Sequence, residues 1–417
     1  MEDTTIQSNQ EEAYFGLPAE VKFCQKCVMS NQKPNAAVEN KHTSKTRKET
    51  IHFDEDGICD ACKYFDWKRS TINWQEREAQ LMKLCNQYRS NDGSYDCIVP
   101  GSGGKDSCFA AHILKHKFNM HPLTVTWSPH LYTDIGWQGL QNWIEQGNDN
   151  FLVSPSGKTH RLLTRLAFKN LLHPFQAFML GQKYIAPKLA MKFKIPLVFF
   201  GDNSAEYGMK KEENLSSKMD LKFFSYDTPT LELGNIFLGG VSVDNLIKNH
   251  NLTLKDLQLF LPSKKSSLEA AGVEVHFLSY YFNWDPQENY YYAAEHCNFK
   301  ANPTRRDGTY CKYSSVDDKI DDLQFYTTFI KFGIGKSTYD AAQEIRCNKI
   351  TREEGVALVK KFDGEFPITH HKEILKYLDM TEEEFKSTID KFRSPHLWKK
   401  EDGKWILKHA VWHDQNK

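Results

Sequence analysis

Residues 95–107, Tyr-Asp-Cys-Ile-Val-Pro-Gly-Ser-Gly-Gly-Lys-Asp-Ser, constrain the fold of this chain more than any other stretch. A short apolar run, Cys97-Ile98-Val99, ends at Pro100 and enters a loop of small residues, Gly101 to Gly104. Lys105, Asp106 and Ser107 follow, and Cys108 to Leu114 has helical spacing. Strand, glycine loop and helix N-terminus in that order aim free backbone N–H groups and the positive end of a helix dipole at one spot, which suits phosphate. Two common loops are excluded. A Walker loop needs glycine five positions before Gly104, where Val99 stands. A dinucleotide fingerprint that begins at Gly101 and Gly103 needs a third glycine where Asp106 stands.

The pattern after this loop alternates. Leu123–Trp127, Phe151–Val153 and Ile195–Phe200 read as strands, with helices predicted over 136–147 and 175–193. Val273–Tyr281 reads as a fifth strand, reached through an insertion over about 209–272. Such alternation predicts an α/β fold with a mainly parallel, doubly wound sheet and helices on both faces. Ligands of these sheets bind beyond the C-terminal strand ends. Ser102–Ser107, Thr126, Ser154 and the Gly201–Gly208 cluster, with Asn203 and Glu206, are therefore the positions to watch. Arg305 and Arg306 beyond the fifth strand are candidates for gripping phosphate or a carboxylate.

Two Cys-x2-Cys pairs, Cys24/Cys27 and Cys59/Cys62, flank 31 intervening residues. Each short loop presents two sulfurs to one ion, which predicts a tetrahedral four-thiolate zinc site with a hairpin across the gap. The organisation that follows is a flexible arm over 1–20, a zinc ribbon over 21–65, the α/β domain over 66–315 and a helical C-terminal region over 316–417. Residues 66–90 read as one linking helix. Gly333 to Thr338 superficially matches a P-loop, but Ile330 occupies its first glycine position, so a helix–turn–helix junction is expected. Thr253/Asp256, Thr351/Glu354 and Thr381/Glu384 read as helix-capping pairs.

Lys+Arg and Asp+Glu are equal at 54 each, so no global basic field argues for nucleic acid. No apolar run approaches the roughly 20 residues of a membrane helix. The polar start of the chain lacks a signal segment, and a cytoplasmic location is expected.

Ser102-Gly-Gly-Lys-Asp-Ser107 resembles the PP-loop of the ATP-pyrophosphatase superfamily, whose members split ATP between the α and β phosphates. Together with the four cysteines, the Gly201–Gly208 cluster, Arg305-Arg306-Asp307-Gly308-Thr309, Asp317-Asp318-Lys319 and Phe329–Gly335, it resembles the bacterial N-acetyl-sugar amidotransferase family of the WbpG/PseA type. That resemblance covers about Cys24 to Pro367. It implies an ATP-dependent ligase that adenylates the acetamido group of a surface-glycan or flagellin sugar, of pseudaminic, legionaminic or mannuronic type, and lets ammonia displace AMP to leave an acetamidino sugar. The implied cofactors are ATP, Mg²⁺ and structural Zn²⁺. Ser102, Gly103, Gly104, Ser107, Thr126 and Gly201 would take ATP and pyrophosphate. Lys105, Asp106, Asn203 and Glu206 would serve catalysis, with Asp106 as the Mg²⁺ ligand. Arg305, Arg306 and Lys319 would take substrate or pyrophosphate. No cysteine lies in a Gly-x-Cys-x-Gly elbow and position 2 is glutamate, so a separate glutaminase, and a cyclase-like ammonia-conducting subunit in some systems, are the expected partners. The alternative reading is a PP-loop tRNA thiolase, for which Cys108, Cys297 and Cys311 are the available sulfur carriers.

Overall fold

The computed structural model describes residues 12–35, 38–43, 47–202 and 215–413. Its centre is a sheet of five strands, β1 (Cys97–Pro100), β2 (Pro122–Trp127), β3 (Asp149–Val153), β4 (Leu197–Phe200) and β5 (Glu274–Phe277), in the order β3-β2-β1-β4-β5. Every pairing in it is parallel. Strand alternation explains why both faces must be covered. Cys97, Val99, Leu197 and Phe199 belong to one apolar cluster, whereas Ile98, Leu123, Val125, Val198 and Val275 belong to another.

Seven longer helices surround this sheet or lead into it: α1 (Asp60–Thr71), α2 (Trp74–Tyr88), α3 (Lys105–His116), α4 (Asp134–Glu145), α5 (Gly157–Leu171), α6 (Gln176–Phe193) and α7 (Pro286–His296). The first cluster takes Leu81 of α2, Leu114 of α3, Trp143 of α4 and Ala293 of α7. The second takes Leu163 and Phe168 of α5, Ile185 and Ala190 of α6, the four paired cysteines and the C-terminal helices. The α/β expectation is met. The single linking helix over 66–90 is corrected to two, because Ile72 and Asn73 are extended and the Asn73 side chain accepts from the Gln75 and Glu76 N–H groups as a new N-cap. Two helices come in addition to those expected: α5, capped by Ser156, and α7, opened by Asp285 with Pro286 at its first position.

The C-terminal region holds α8 (Asp321–Phe332), α9 (Lys336–Arg346), α10 (Arg352–Phe362), α11 (His371–Leu378) and α12 (Glu382–Asp390). It ends in a further addition, a hairpin of β6 (Trp398–Glu401) and β7 (Lys404–Leu407). All three expected capping pairs form. Residues 333–338 are a helix–turn–helix junction, with Gly333 left-handed between α8 and α9. The carboxylate of Asp363 accepts from the Gly335 N–H (2.8 Å), the Thr338 N–H (3.2 Å) and the Thr338 hydroxyl. The chain thus supplies its own anion where a P-loop would bind phosphate. Within the inserted stretch, residues 217–219 run antiparallel along β5 through Met219 N–H to Val275 O and Phe277 N–H to Ser217 O, both 2.8 Å.

The strand order reverses between β1 and β4, so the loops that leave these two strands diverge and open a crevice. The loop after β1 is pinned there by a close backbone approach. Gly103 has φ +85°, and a Cβ on it would meet the carbonyl oxygen of Gly139 in α4 at 2.4 Å. A Cβ on Gly104 would meet nothing closer than Ser102 Oγ at 3.9 Å. Gly103→Ala should therefore lower unfolding stability by about 1–3 kcal/mol. Gly104→Ala should stay within about 0.5 kcal/mol of the parent. Urea midpoints of the two variants check this; equal losses would show that the approach is not what holds the loop.

Candidate functional site: a phosphate-type cleft beside a buried four-cysteine centre

The crevice is a cleft of about 420 Å³. Its walls are Pro100–Ser102 and Gly104–Ser107 from the β1 loop and α3, Phe200–Asp202 from the end of β4, and Tyr313–Asp317 with Lys336 from the C-terminal side. Helix α3 starts at Lys105 with Gly104 as its N-cap, and no side chain caps it. Its first N–H groups therefore face the cleft without a side-chain acceptor. The Lys105 ammonium is 8% exposed and pairs with Asp106. The other Asp106 oxygen accepts from Asn289 of α7 at 3.0 Å. The Ser107 hydroxyl donates to Gly104 O at 2.9 Å. Asp317 is half-buried in the cleft wall that it shares with Ser102, and desolvation pushes its carboxyl above the ordinary range.

A second pocket, of about 200 Å³, adjoins the cleft and shares Lys105, Tyr313, Ser314 and Lys336 with it. It lies between the start of α7 and the length of α9.

Several candidates read from the sequence stand elsewhere, and each has a physical reason. Thr126 is fully buried in β2, where its hydroxyl accepts from Asn150 at 3.0 Å, so it does not reach the cleft. Arg306 is 7% exposed; it donates to Asp322 at 2.6 Å and to the Ser315 and Asp318 carbonyls. It is a buried brace. Arg305 pairs with Glu365 at 2.6 Å, and Lys319 with Glu373 at 2.9 Å. Both arginines line a separate groove with Thr133, Asn302 and His370. Gly201 does line the cleft. Asn203 and Glu206 lie outside the described residues. Three cleft residues, Asp317, Lys336 and Tyr313, have no site role in the sequence reading. Asp317 stands in a block that spacing leaves without a function, and Lys336 belongs to the P-loop lookalike.

The four cysteines converge. Their sulfurs all lie within 4.8 Å of one another, with Cys27–Cys59 at 3.8 Å and Cys24–Cys62 at 4.0 Å. A tetrahedron with metal–sulfur bonds of about 2.3 Å has edges of roughly 3.8 Å. The set therefore fits a single tetrathiolate-bound ion, and the separations are too long for disulfides. Backbone N–H groups of Cys27 and Cys59 point at Cys24 Sγ, and that of Met29 points at Cys27 Sγ, at 3.3–3.4 Å. Such donors stabilise thiolate charge. Pairing of Phe23 with Ser30, Pro34 with Thr50 and Phe53 with Cys59 supplies the hairpin-like frame that spans the gap. Arg352 of α10 donates to the Cys24 and Cys27 carbonyls, so the centre is fastened to the C-terminal helices.

Residues 307–411 match the family model described as LPS biosynthesis protein WbpG-like, C-terminal domain. This region is similar to that WbpG-like domain. An uncharacterized protein of Methanocaldococcus jannaschii is 34% identical over 84 residues, 20% of this chain and 29% of that protein, so the chain spans under a third of that relative's length. Among solved structures, the tRNA thiolase NcsA of Methanococcus maripaludis, described with its 4Fe–4S cluster, aligns with a TM-score of 0.30 at 13% identity. That alignment covers 75% of this chain and 88% of the thiolase. The WbpG-like region contributes Tyr313–Asp317 and Lys336 to the cleft, and Tyr339, Asp340, Gln343 and Glu344 to the adjoining pocket. It is one wall of the site, not an appendage.

Two outcomes follow. Cys59→Ser should lose bound metal and thermal stability together, because the energy of metal binding is folding energy in such a centre; metal analysis that still finds one ion per chain would refute the ligand set. Arg306→Met should cost about 3–5 kcal/mol by removing the guanidinium from buried Asp322, which keeps only its contact to His370, whereas Lys319→Ala should cost about 1 kcal/mol or less. Chemical denaturation distinguishes the two.

Proposed function

We propose that the chain is an ATP-dependent, AMP-forming amidotransferase that acts on the acetamido group of an N-acetyl sugar. One observation carries this reading: the glycine cradle and the uncapped start of α3 face a cleft whose opposite wall belongs to a WbpG-like region. A glycine loop with free N–H groups suits a leaving pyrophosphate, and Lys105 stands at the same spot.

An amide carbonyl is a poor electrophile toward ammonia. In the proposed reaction its oxygen attacks the α-phosphorus of ATP, the bond to the β-phosphate oxygen breaks, and pyrophosphate leaves with that electron pair. The amide N–H proton is lost, which leaves an adenylated imidate. Ammonia then adds to the imidate carbon, the C–O bond breaks, AMP departs, and an amidine remains. The protein's share is positioning and charge stabilisation. The N–H groups of Gly103, Gly104 and Lys105, with the Ser102 and Ser107 hydroxyls, are assigned to pyrophosphate. Gly201, at the end of β4, is assigned to the nucleotide. Asp106 is the assigned Mg²⁺ ligand, an ion that would offset phosphate charge when bound. In the structure its two oxygens face Lys105 and Asn289. Zinc is the assigned ion of the four-cysteine centre. Ammonia is assigned to a separate glutaminase, with a cyclase-like conducting subunit in systems that use one.

The thiolase alternative requires a sulfur carrier that reaches the cleft. Cys108 Sγ faces Gly103 O at 3.3 Å, and Cys297 Sγ faces Cys108 O at 3.7 Å; both are buried behind the loop. Cys311 lines the adjoining pocket but is 5% exposed.

Incubation with ATP, Mg²⁺, an N-acetyl sugar and ammonium should release pyrophosphate and AMP in equal amounts. Asp106→Ala should reduce that release by about 10²–10³-fold with the circular dichroism unchanged. Release that depends on tRNA and a sulfur donor in place of sugar and ammonia would favour the thiolase and overturn the reading.

A further inference from the structure

The pocket beside the cleft has a chemical character of its own. Three carboxylates line it, Asp285, Asp340 and Glu344, and three lysines, Lys105, Lys336 and Lys349. The lysines are already matched. Lys336 pairs with Asp340, Lys349 with Asp285 at 3.5 Å, and Lys105 with Asp106. The pocket is neutral in sum, with each of its cations offset by a carboxylate.

Its carboxylates, by contrast, keep acceptor capacity. Glu344 accepts from the Tyr310 hydroxyl at 2.8 Å and from the Tyr313 hydroxyl at 3.2 Å; Asp340 accepts from the Thr309 hydroxyl at 2.7 Å. A carboxylate offers about four lone-pair sites, so each can take further O–H donors. Burial raises the Glu344 carboxyl, in keeping with a water-poor wall. Gln343 is 6% exposed, and its Nε2 has no hydrogen-bond partner, while its Oε1 accepts from Arg346 at 2.9 Å. A buried amide N–H group with nothing to donate to is destabilising unless a ligand or water satisfies it. The rings of Tyr313 and Tyr339 form the apolar part of the lining, and Tyr313 is held by stacking on Tyr290 at 4.6 Å.

We infer that this pocket is the acceptor subsite: it holds an uncharged, polyhydroxylated ring through Asp340, Glu344 and Gln343, and presents it to the phosphate cleft past Lys105 and Lys336. Carboxylates accept from ring hydroxyls, Gln343 donates to a hydroxyl or carbonyl oxygen, and the tyrosine rings cover the C–H faces of a sugar. Because Lys105, Tyr313, Ser314 and Lys336 line both spaces, a group seated in the pocket borders the nucleotide's phosphates without crossing solvent. The matched charges disfavour a polyanionic acceptor such as a nucleic acid strand. This assignment rests on the adenylating reading of the cleft, and the experiment separates the two.

The full chain is titrated with a fluorescent ATP analogue, and separately, with AMP and pyrophosphate present, with N-acetylglucosamine, N-acetylgalactosamine and N-acetylmannosamine by saturation-transfer NMR. Gln343→Leu and Glu344→Gln are compared with the parent, and melting curves verify folding. The expected result is that at least one sugar binds the parent, that either variant weakens it by about tenfold, and that nucleotide affinity changes less than about twofold in both variants. Absence of nucleotide binding by the parent sinks the cleft reading itself. Nucleotide binding without any sugar binding, or sugar binding indifferent to both substitutions, sinks the subsite assignment alone. Glu344→Gln is the nearer isostere and keeps the test usable if Gln343→Leu unfolds.

Discussion

The buried carboxylate of Asp318 is the contact on which the site depends. It accepts from the His130 N–H at 2.7 Å, from His130 Nδ1 at 2.6 Å, from Leu131 N–H at 3.3 Å and from Ile320 N–H at 2.9 Å. Its own carbonyl accepts from Arg306 at 2.7 Å. Pairing with His130 and these backbone donors hold the carboxyl below its ordinary range despite burial. One side chain therefore joins the loop after β2 to the segment that enters α8. The segment it anchors includes Asp317, which packs on Gly136 and lines the cleft with Ser102. Backbone bonds from Thr133 to Asp317 O (3.1 Å) and from Lys319 to Leu131 O (2.9 Å) tie the same segment to the loop after β2.

The same logic governs the other buried polar groups. Glu39, from the ribbon, meets Lys331 of α8, Lys48 at 2.5 Å and His42 at 2.9 Å, and Lys331 also donates to Leu171 O at 2.6 Å. Burial lowers Lys331 to about 8 although Glu39 opposes the shift. A buried pair of this kind is costly to form and more costly to break, so it specifies one docking of ribbon on helix. Together with Arg352 on the Cys24 and Cys27 carbonyls, it makes the four-cysteine centre part of the main core. The four-cysteine centre and the C-terminal helices then share one packed core.

Local signals and tertiary signals were legible to very different degrees. The glycine loop, the cysteine pairs and the capping boxes each depend on residues a few positions apart, and each formed as their spacing implied. The partners of Arg305, Arg306 and Lys319 were not legible, for the opposite reason. A charge in sequence has no direction until its partner is placed, and their partners Glu365, Asp322 and Glu373 lie 16 to 60 positions away. Thr126 followed from a sound rule about strand ends, but the pleat turned it toward Asn150.

By itself the sequence determined the strand–glycine loop–helix, the parallel α/β class and the convergence of the four cysteines, because periodicity and short-range spacing encode them. Only the tertiary structure decided what stands opposite the cradle. Asp317, Tyr313 and Lys336 reach it from more than about 200 residues downstream of Ser102, and the neutral pocket beyond them exists only once α7 and α9 are packed together. Their role depends on distance in space, and nothing in local chain chemistry encodes that distance.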